Sequence, residues 1–209
     1  MEEKTKLLQL LAEQAYQYRA VPFTLSAGGQ SHEYLDCRAA LSNPETLAIA
    51  ASLLLVKLDP TVVAVGGLTM GADPLAIALS LCSHDAYEHS NYGAPSRVKW
   101  FSVRKEPKGH GTTRLIEGSV KPGDRVAVLD DVATSGASTI RAIKACREFG
   151  LTVVQAIVLI DRGGLDNIRD FFSVQPYGSP PPQSVGQGVR VDAVCQLSEI
   201  RVSKIASST

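Results

Sequence analysis

Short β-branched runs alternate with helix-patterned segments along most of this 209-residue chain, and that alternation restricts the fold more than any other feature. Residues 61–65, 98–103, 125–129 and 152–160 read as strands, the first ending in Gly66-Gly67, and a last strand is expected over 189–197. Between them, residues 72–82 and 137–149 have helical patterning, the second stopped by Gly150. Upstream, Leu7, Leu8, Leu11, Ala12, Ala15 and Tyr16 recur at three-to-four spacing and predict an amphipathic helix over 4–18. Another helix is expected over 44–58, with Pro44 in its first turn, Asn43 or Ser42 as its cap and Asp59-Pro60 as its stop. Such β-α-β order predicts an α/β fold: a mostly parallel sheet flanked by helices, binding its ligand in the crevice at the carboxyl ends of the strands. Residues 175–188, with Pro180-Pro181-Pro182, read as an exposed loop. At ~150 residues per domain, residues 1–209 are expected to form a single domain.

Charge narrows the function. Twenty-one basic residues balance twenty-one acidic ones, which argues against a nucleic-acid or membrane partner held by bulk charge. Apolar residues at 44% and charged residues at 20% exclude a disordered chain. Cys37, Cys82, Cys146 and Cys195 are far apart in sequence and form no C-x-x-C pair, so they read as reduced thiols. The opening MEEKTKLLQLLAEQA places acids before a short, interrupted apolar run, unlike a secretory or transit signal. No apolar stretch approaches the ~18–20 residues that span a bilayer, and a cytoplasmic location is expected.

The stretch richest in chemistry is VAVLDDVATSGAST at 126–139. A buried strand delivers two adjacent carboxylates, Asp130 and Asp131, and a turn of small residues then opens a helix. Backbone amides from Ala133 to Ser138, with the hydroxyls of Thr134, Ser135 and Ser138, suit a phosphomonoester, and Gly136 is expected to leave room for its approach. The acids one step earlier lie within reach of a sugar diol or a metal. An ordinary strand-turn-helix junction with an aspartate cap fits the same letters, but the apolar run before and the helix after favour the phosphate cradle. Arg104, Lys105, Lys108 and His110 fall in one loop punctuated by Pro107, Gly109 and Gly111. That loop suits a pyrophosphate gaining charge as it leaves, or is a solvated basic turn. Taken alone, Arg162 reads as a surface ion pair with Asp161 or Asp166.

The 126–138 stretch resembles the 5-phosphoribosyl-1-diphosphate (PRPP) motif of type I phosphoribosyltransferases: hydrophobic strand, two acids, two small or apolar residues, then T-[TS]-G-x-[ST]. The resemblance implies that Asp130 and Asp131 meet the ribose 2- and 3-hydroxyls. It implies also that Val132, Ala133, Thr134, Ser135, Gly136, Ala137 and Ser138 hold the 5-phosphate. The segment R-K-x-x-K-x-H-G at 104–111, continued by TTRLIEG at 112–118, resembles the flexible catalytic loop of orotate phosphoribosyltransferases. Phe23-Thr24-Leu25-Ser26-Ala27-Gly28, with Ser31 and Tyr34-Leu35-Asp36, is similar to the hood over the orotate ring in that family, and residues 66–74 to its pyrophosphate-side loop. Arg162 stands where the family's arginine pairs with the orotate carboxylate, and Thr134, Tyr34 and Leu35 are expected beside that ring. Five segments in the same order identify the chain as a member of the orotate phosphoribosyltransferase family.

Membership implies transfer of the 5-phosphoribosyl group from PRPP to orotate, giving orotidine 5-monophosphate and pyrophosphate in pyrimidine biosynthesis. Asp130, Asp131, Lys105, Lys108 and His110 are the implied catalytic residues, and Arg104 is implied in PRPP binding. Mg²⁺ is implied as cofactor, held mainly by PRPP with no direct protein ligand. A homodimer is implied, the 104–111 loop of one subunit closing over the site of the other, with a small hood formed by about residues 1–40 and the C-terminal strand region. The chain departs from the family at Gly29-Gln30, Ser26 and Met70, where basic residues are frequent, and at Gly163-Gly164, where acids are common. Alternatives are a purine phosphoribosyltransferase, disfavoured by the basic loop and hood, a PRPP-sensing regulator, and a non-catalytic member kept as a structural partner.

Overall fold

A computed structural model describes residues 2–24, 30–89, 97–107, 114–173 and 189–206. It begins with helix α1 (Glu2–Gln14), which buries Leu7, Leu10, Leu11 and Ala12. The helix ends four residues before its expected limit, because Tyr16 onward is extended. Strand β1 (Tyr16–Thr24) pairs antiparallel with β2 (Gln30–Leu35), Tyr16 opposite Leu35, and Phe23 lies 5.2 Å from Tyr34 between ring centres. The aromatic and β-branched content of Tyr16, Tyr18, Val21 and Phe23 suits this pairing, which overrides the helical spacing of Ala15 and Tyr16. A short helix α2 (Cys37–Leu41), capped by Asp36, leads to α3 (Pro44–Lys57), where Asn43 is the cap and accepts the Glu45 amide at 2.9 Å.

The main sheet is built from β3 (Ala64–Leu68), β4 (Lys99–Val103), β5 (Ile116–Gly118), β6 (Arg125–Ala133), β7 (Thr152–Asp161) and β8 (Arg190–Gln196). Its order is β5-β4-β3-β6-β7-β8, parallel throughout except for the antiparallel edge β5. Helix α4 (Ala72–His89) joins β3 to β4 and runs well past the expected end at 82. Helices α5 (Ala137–Glu148) and α6 (Leu165–Ser173) follow β6 and β7, and α7 (Leu197–Ala206) closes the described chain. The sequence patterns above miss α2, α6, α7 and β5, all short or strongly mixed in composition. The expected loop at 175–188 lies outside the described residues.

Consecutive residues of β6 leave the sheet on opposite faces. Ala127 and Leu129 pack with Leu7, Leu54, Leu75 and Leu79 on the side of α1, α3 and α4. Val126 and Val128 pack with Phe101, Ile143, Cys146 and Ile168 on the side of α5 and α6. Helices therefore cover both faces, which is why β6 and β7 read as nearly continuous apolar runs.

Strand β3 starts three residues later than expected and continues through Gly66 and Gly67 rather than stopping at them. The reason is crowding: a Cβ on Gly67 would stand 2.0 Å from the Leu129 carbonyl oxygen and 2.7 Å from the Ala72 Cβ. The glycines let β3 lie against its neighbours where the helix α4 turn begins. Gly67→Ala is therefore expected to destabilise the protein by about 1–3 kcal/mol, as overpacking of a well-filled interior does. Urea denaturation checks this, and an unchanged midpoint would contradict the close approach.

Candidate active site

At the carboxyl ends of β3, β6 and β7 lies a crevice of about 530 Å³. Its walls include Tyr34 and Leu35 from β2, Cys37 and Arg38 from α2, residues 68–71 after β3, Lys105, Asp130 to Val132, Thr134, Ser138 and Arg162. Nine of the residues singled out from the sequence thus meet in one place: Tyr34, Leu35, Lys105, Asp130, Asp131, Val132, Thr134, Ser138 and Arg162. A larger hollow, about 740 Å³, runs along α1 beside Glu2, Glu3, Lys6 and Ile49, without converging functional groups. We take the crevice as the site because chemistry, not volume, distinguishes the two.

Strand parity separates the two aspartates. Asp130 continues the α5 side of β6 and is buried, its Oδ2 accepting the Thr139 hydroxyl at 2.7 Å and its Oδ1 the Asp131 amide at 3.1 Å. Asp131 turns the other way, half-buried, toward the loop after β3, where a Cβ on Gly71 would stand 2.6 Å from its Oδ1. The two acids that stand side by side in the sequence thus differ in surroundings, Asp130 being tied into the core. Burial pushes the Asp130 carboxyl up to about 7, the Thr139 hydrogen bond pulls it down, and the neighbouring Asp131 charge adds to the rise.

The turn after β6 exposes Thr134, Ser135, Ala137 and Ser138, while Ala133 and Gly136 are buried. Gly136 caps α5 in the left-handed conformation, φ +72°, with no side-chain cap bond. A Cβ there would meet Ile168 Cγ1 at 2.7 Å and the Gly164 carbonyl at 2.9 Å. The glycine is thus required by its backbone angle and by α6 packed behind it, rather than by room for an anion in front as expected. At the start of α5 the Ala137 amide donates to the Ser135 hydroxyl at 3.4 Å, beside the exposed Thr134 and Ser138.

The neighbouring turn is locked to this one. Ala133 O accepts the Arg162 amide at 2.8 Å, and Asp161 Oδ1 accepts the amides of Gly163 and Gly164 at 2.8 and 2.9 Å. Asp161 is thereby occupied, and Asp166 pairs with Arg169 at 2.8 Å. Neither forms the ion pair that a plain reading of Arg162 requires; the half-buried Arg162 guanidinium lines the crevice, and the described carboxylate that feels its charge is Glu33 of β2.

On the basic loop, Lys105 is exposed and lines the crevice of its own chain. Arg104 points elsewhere: its Nε donates to the Glu106 carbonyl at 3.2 Å and its Nη1 lies 3.9 Å from Glu117. Lys108 and His110 lie outside the described residues, as do Ser26 and Gly29. Glu33 of β2 is held by Arg201 of α7 and by the Tyr16 hydroxyl at 2.6 Å, and these two hydrogen bonds, the Arg201 one first, hold its carboxyl below the usual range against the opposing effect of burial. The C-terminal strand β8 joins the main sheet, so it is α7 rather than that strand that reaches the β1–β2 pair. Cys37, Arg38 and Thr139 carry no distinguishing sequence signal, and only the fold brings them to the site.

Linkage gives a test of the Asp130 environment. Its folded value lies above the ordinary 3.8, so its contribution to stability is present below about 3.8 and is lost as pH rises through about 7. Urea unfolding at pH 5 and pH 8 should show a loss of stability in the wild type that Asp130→Asn largely abolishes. Equal pH dependence in both proteins would contradict the buried carboxyl.

No protein-family model matches the chain. The chain is 42% identical over 175 residues to the orotate phosphoribosyltransferase of Aquifex aeolicus, covering 81% of this chain and 90% of that protein. It is also similar to the crystal structure of orotate phosphoribosyltransferase from Aeropyrum pernix, with a TM-score of 0.69 at 30% identity over 97% of this chain and 98% of that one. The Mycobacterium tuberculosis orotate phosphoribosyltransferase solved in complex with PRPP matches with a TM-score of 0.64 at 25% identity, over 96% and 92% of the two chains.

Proposed function

The chain belongs to the orotate phosphoribosyltransferase family, and from that premise we propose how its residues divide the work of moving the 5-phosphoribosyl group from PRPP to orotate. The products are orotidine 5-monophosphate and pyrophosphate, a step of pyrimidine biosynthesis. Orotate nitrogen is already a nucleophile, so the protein's part is to hold two anionic substrates together and to stabilise an oxocarbenium-like centre.

The PRPP 5-phosphate sits on the amides and hydroxyls of residues 134–138, and Asp130 and Asp131 take the ribose 2- and 3-hydroxyls from opposite sides. Lys105, with the loop after β3, faces the departing pyrophosphate. Arg104 turns toward Glu117, which favours a structural part for it in the loop base. Mg²⁺ would supply charge neutralisation to the pyrophosphate, held mainly by PRPP oxygens with waters completing its shell. Orotate lies against Tyr34, Leu35 and Thr134, with its carboxylate on Arg162. The four free thiols fit a cytoplasmic place.

The observation that carries the acceptor assignment is the Arg162 guanidinium, which lines the crevice beside the two aspartates and the phosphate turn while Asp166 is paired with Arg169 instead. A planar guanidinium matches a carboxylate in a bidentate pair, and the orotate carboxylate is what distinguishes this ring from uracil. Arg162→Ala is expected to lower kcat/KM for orotate by ~10²-fold or more, on the scale of a charge-assisted pair at roughly 1.5–3 kcal/mol plus an unpaired anion. The KM for PRPP should hardly move. Equal losses for both substrates would make Arg162 a scaffold residue, and no loss for either would reopen the purine reading.

We further propose a homodimer in which the loop beyond Lys105 serves the partner's crevice while Lys105 serves its own. Inactive Lys108→Ala and Asp131→Asn proteins, mixed and allowed to exchange subunits, should recover activity through one intact composite site. No recovery with exchange verified would count against the shared loop.

A further inference from the structure

Thr139 occupies the first turn of α5 and is 1% exposed. A threonine there ordinarily turns its hydroxyl to water or to a backbone carbonyl one turn back. This one instead spans from helix to strand and donates to Asp130 Oδ2 at 2.7 Å. The second oxygen, Oδ1, accepts the Asp131 amide at 3.1 Å, so the carboxyl group is held at both ends. No buried side-chain oxygen or nitrogen among the described residues is left without a partner, and Asp130 meets that condition through these two bonds.

From this geometry, and resting on the PRPP reading of the crevice, we propose that Thr139 is a positioning residue for phosphoribosyl transfer: its hydroxyl fixes the Asp130 carboxylate in the orientation that receives the ribose hydroxyls. Thr139 does not touch substrate, since it lies behind Asp130 and is absent from the crevice wall. Its action has two parts. Together with the Asp131 amide, the bond selects one rotamer of this buried side chain. It also favours the charged form of Asp130 against burial and against the like charge of Asp131. Within the sheet its neighbours bring no charge, since its partner in β7 is Val158 and β3 ends in Gly66-Gly67-Leu68, whereas Arg38, Lys105 and Arg162 share the crevice with it. Loss of the hydroxyl therefore removes the larger of the two hydrogen bonds that favour the charged form of Asp130 and leaves the Asp131 amide as the other.

The test compares wild type, Thr139→Val and Thr139→Ser in steady-state kinetics with PRPP and orotate over a range of pH, after circular dichroism has established folding. Thr139→Val is expected to raise the KM for PRPP roughly tenfold or more, the scale of one hydrogen bond to a charged group, and to move the acid limb of kcat/KM to higher pH. The KM for orotate should change much less, and Thr139→Ser should restore both readouts. Carboxyl ¹³C NMR of the free protein gives a measure independent of turnover: the Asp130 titration should move to higher pH in Thr139→Val. If Thr139→Val does not fold, Thr139→Ala carries the same comparison. A folded variant with the wild-type KM for PRPP and an unmoved Asp130 titration would overturn the proposal, as would a Thr139→Ser protein as impaired as Thr139→Val. A wild-type protein that consumes no orotate fails the PRPP and orotate reading itself, a separate outcome visible before any variant is compared.

Discussion

Strand β6 runs through the middle of the sheet with β3 on one side and β7 on the other, and its side chains alternate between two separate hydrophobic cores. That alternation continues past the last apolar residue, Leu129, into the two aspartates. Asp130 inherits the α5 face and is drawn under the helix by Thr139, and Asp131 inherits the α4 face and meets the loop after β3. Two adjacent carboxylates with one covalent spacing thus acquire different environments without any special device. Burial of β6 makes the arrangement rigid, because a slip of one residue in register would exchange the two faces and place apolar side chains in the crevice.

Around this strand the backbone approaches are unusually close, and they explain why the small residues stand where they do. Gly67 admits the Leu129 carbonyl, and Gly136 takes a left-handed angle with α6 directly behind it. The turns after β6 and β7 then share Ala133 O, which receives the amides of Arg162 and Gly164. Arg162 is consequently aimed by backbone bonds that fix its Cα, while the Oδ1 of Asp161 is spent on three successive amides rather than on the guanidinium. The crevice gains one acidic wall and one cationic end, a distribution suited to a sugar diol at one side and a carboxylate at the other.

Much of this was legible in the sequence. The β-α-β period gave away the parallel sheet, and the VLDDVATSGAS stretch marked the junction of a strand with a helix, although β6 runs on to Ala133, four residues past its expected end, and carries both acids within it. What escaped was non-local. Tyr16 satisfies a helical spacing with Leu8 and Ala12, but pairing with Leu35 across a hairpin decides its state. Gly66-Gly67 read as a strand stop, since the partners that require glycine there, Phe101 and Leu129, are distant in sequence. Nothing in the letters D-D separates the part of Asp130 from that of Asp131, because the helix that one of them faces has not yet been placed. Thr139 was invisible for the same reason, one hydroxyl among several in a serine- and threonine-rich turn.

The central claim, an acceptor site for orotate beside a PRPP cradle, is tested most directly by following orotate ultraviolet absorbance after addition of PRPP and Mg²⁺ to the purified protein, with pyrophosphate measured in parallel. The account predicts a PRPP-dependent loss of orotate matched mole for mole by pyrophosphate, and no comparable consumption of adenine or hypoxanthine. Consumption of a purine base with orotate untouched, or PRPP binding with no turnover of any base, would contradict it.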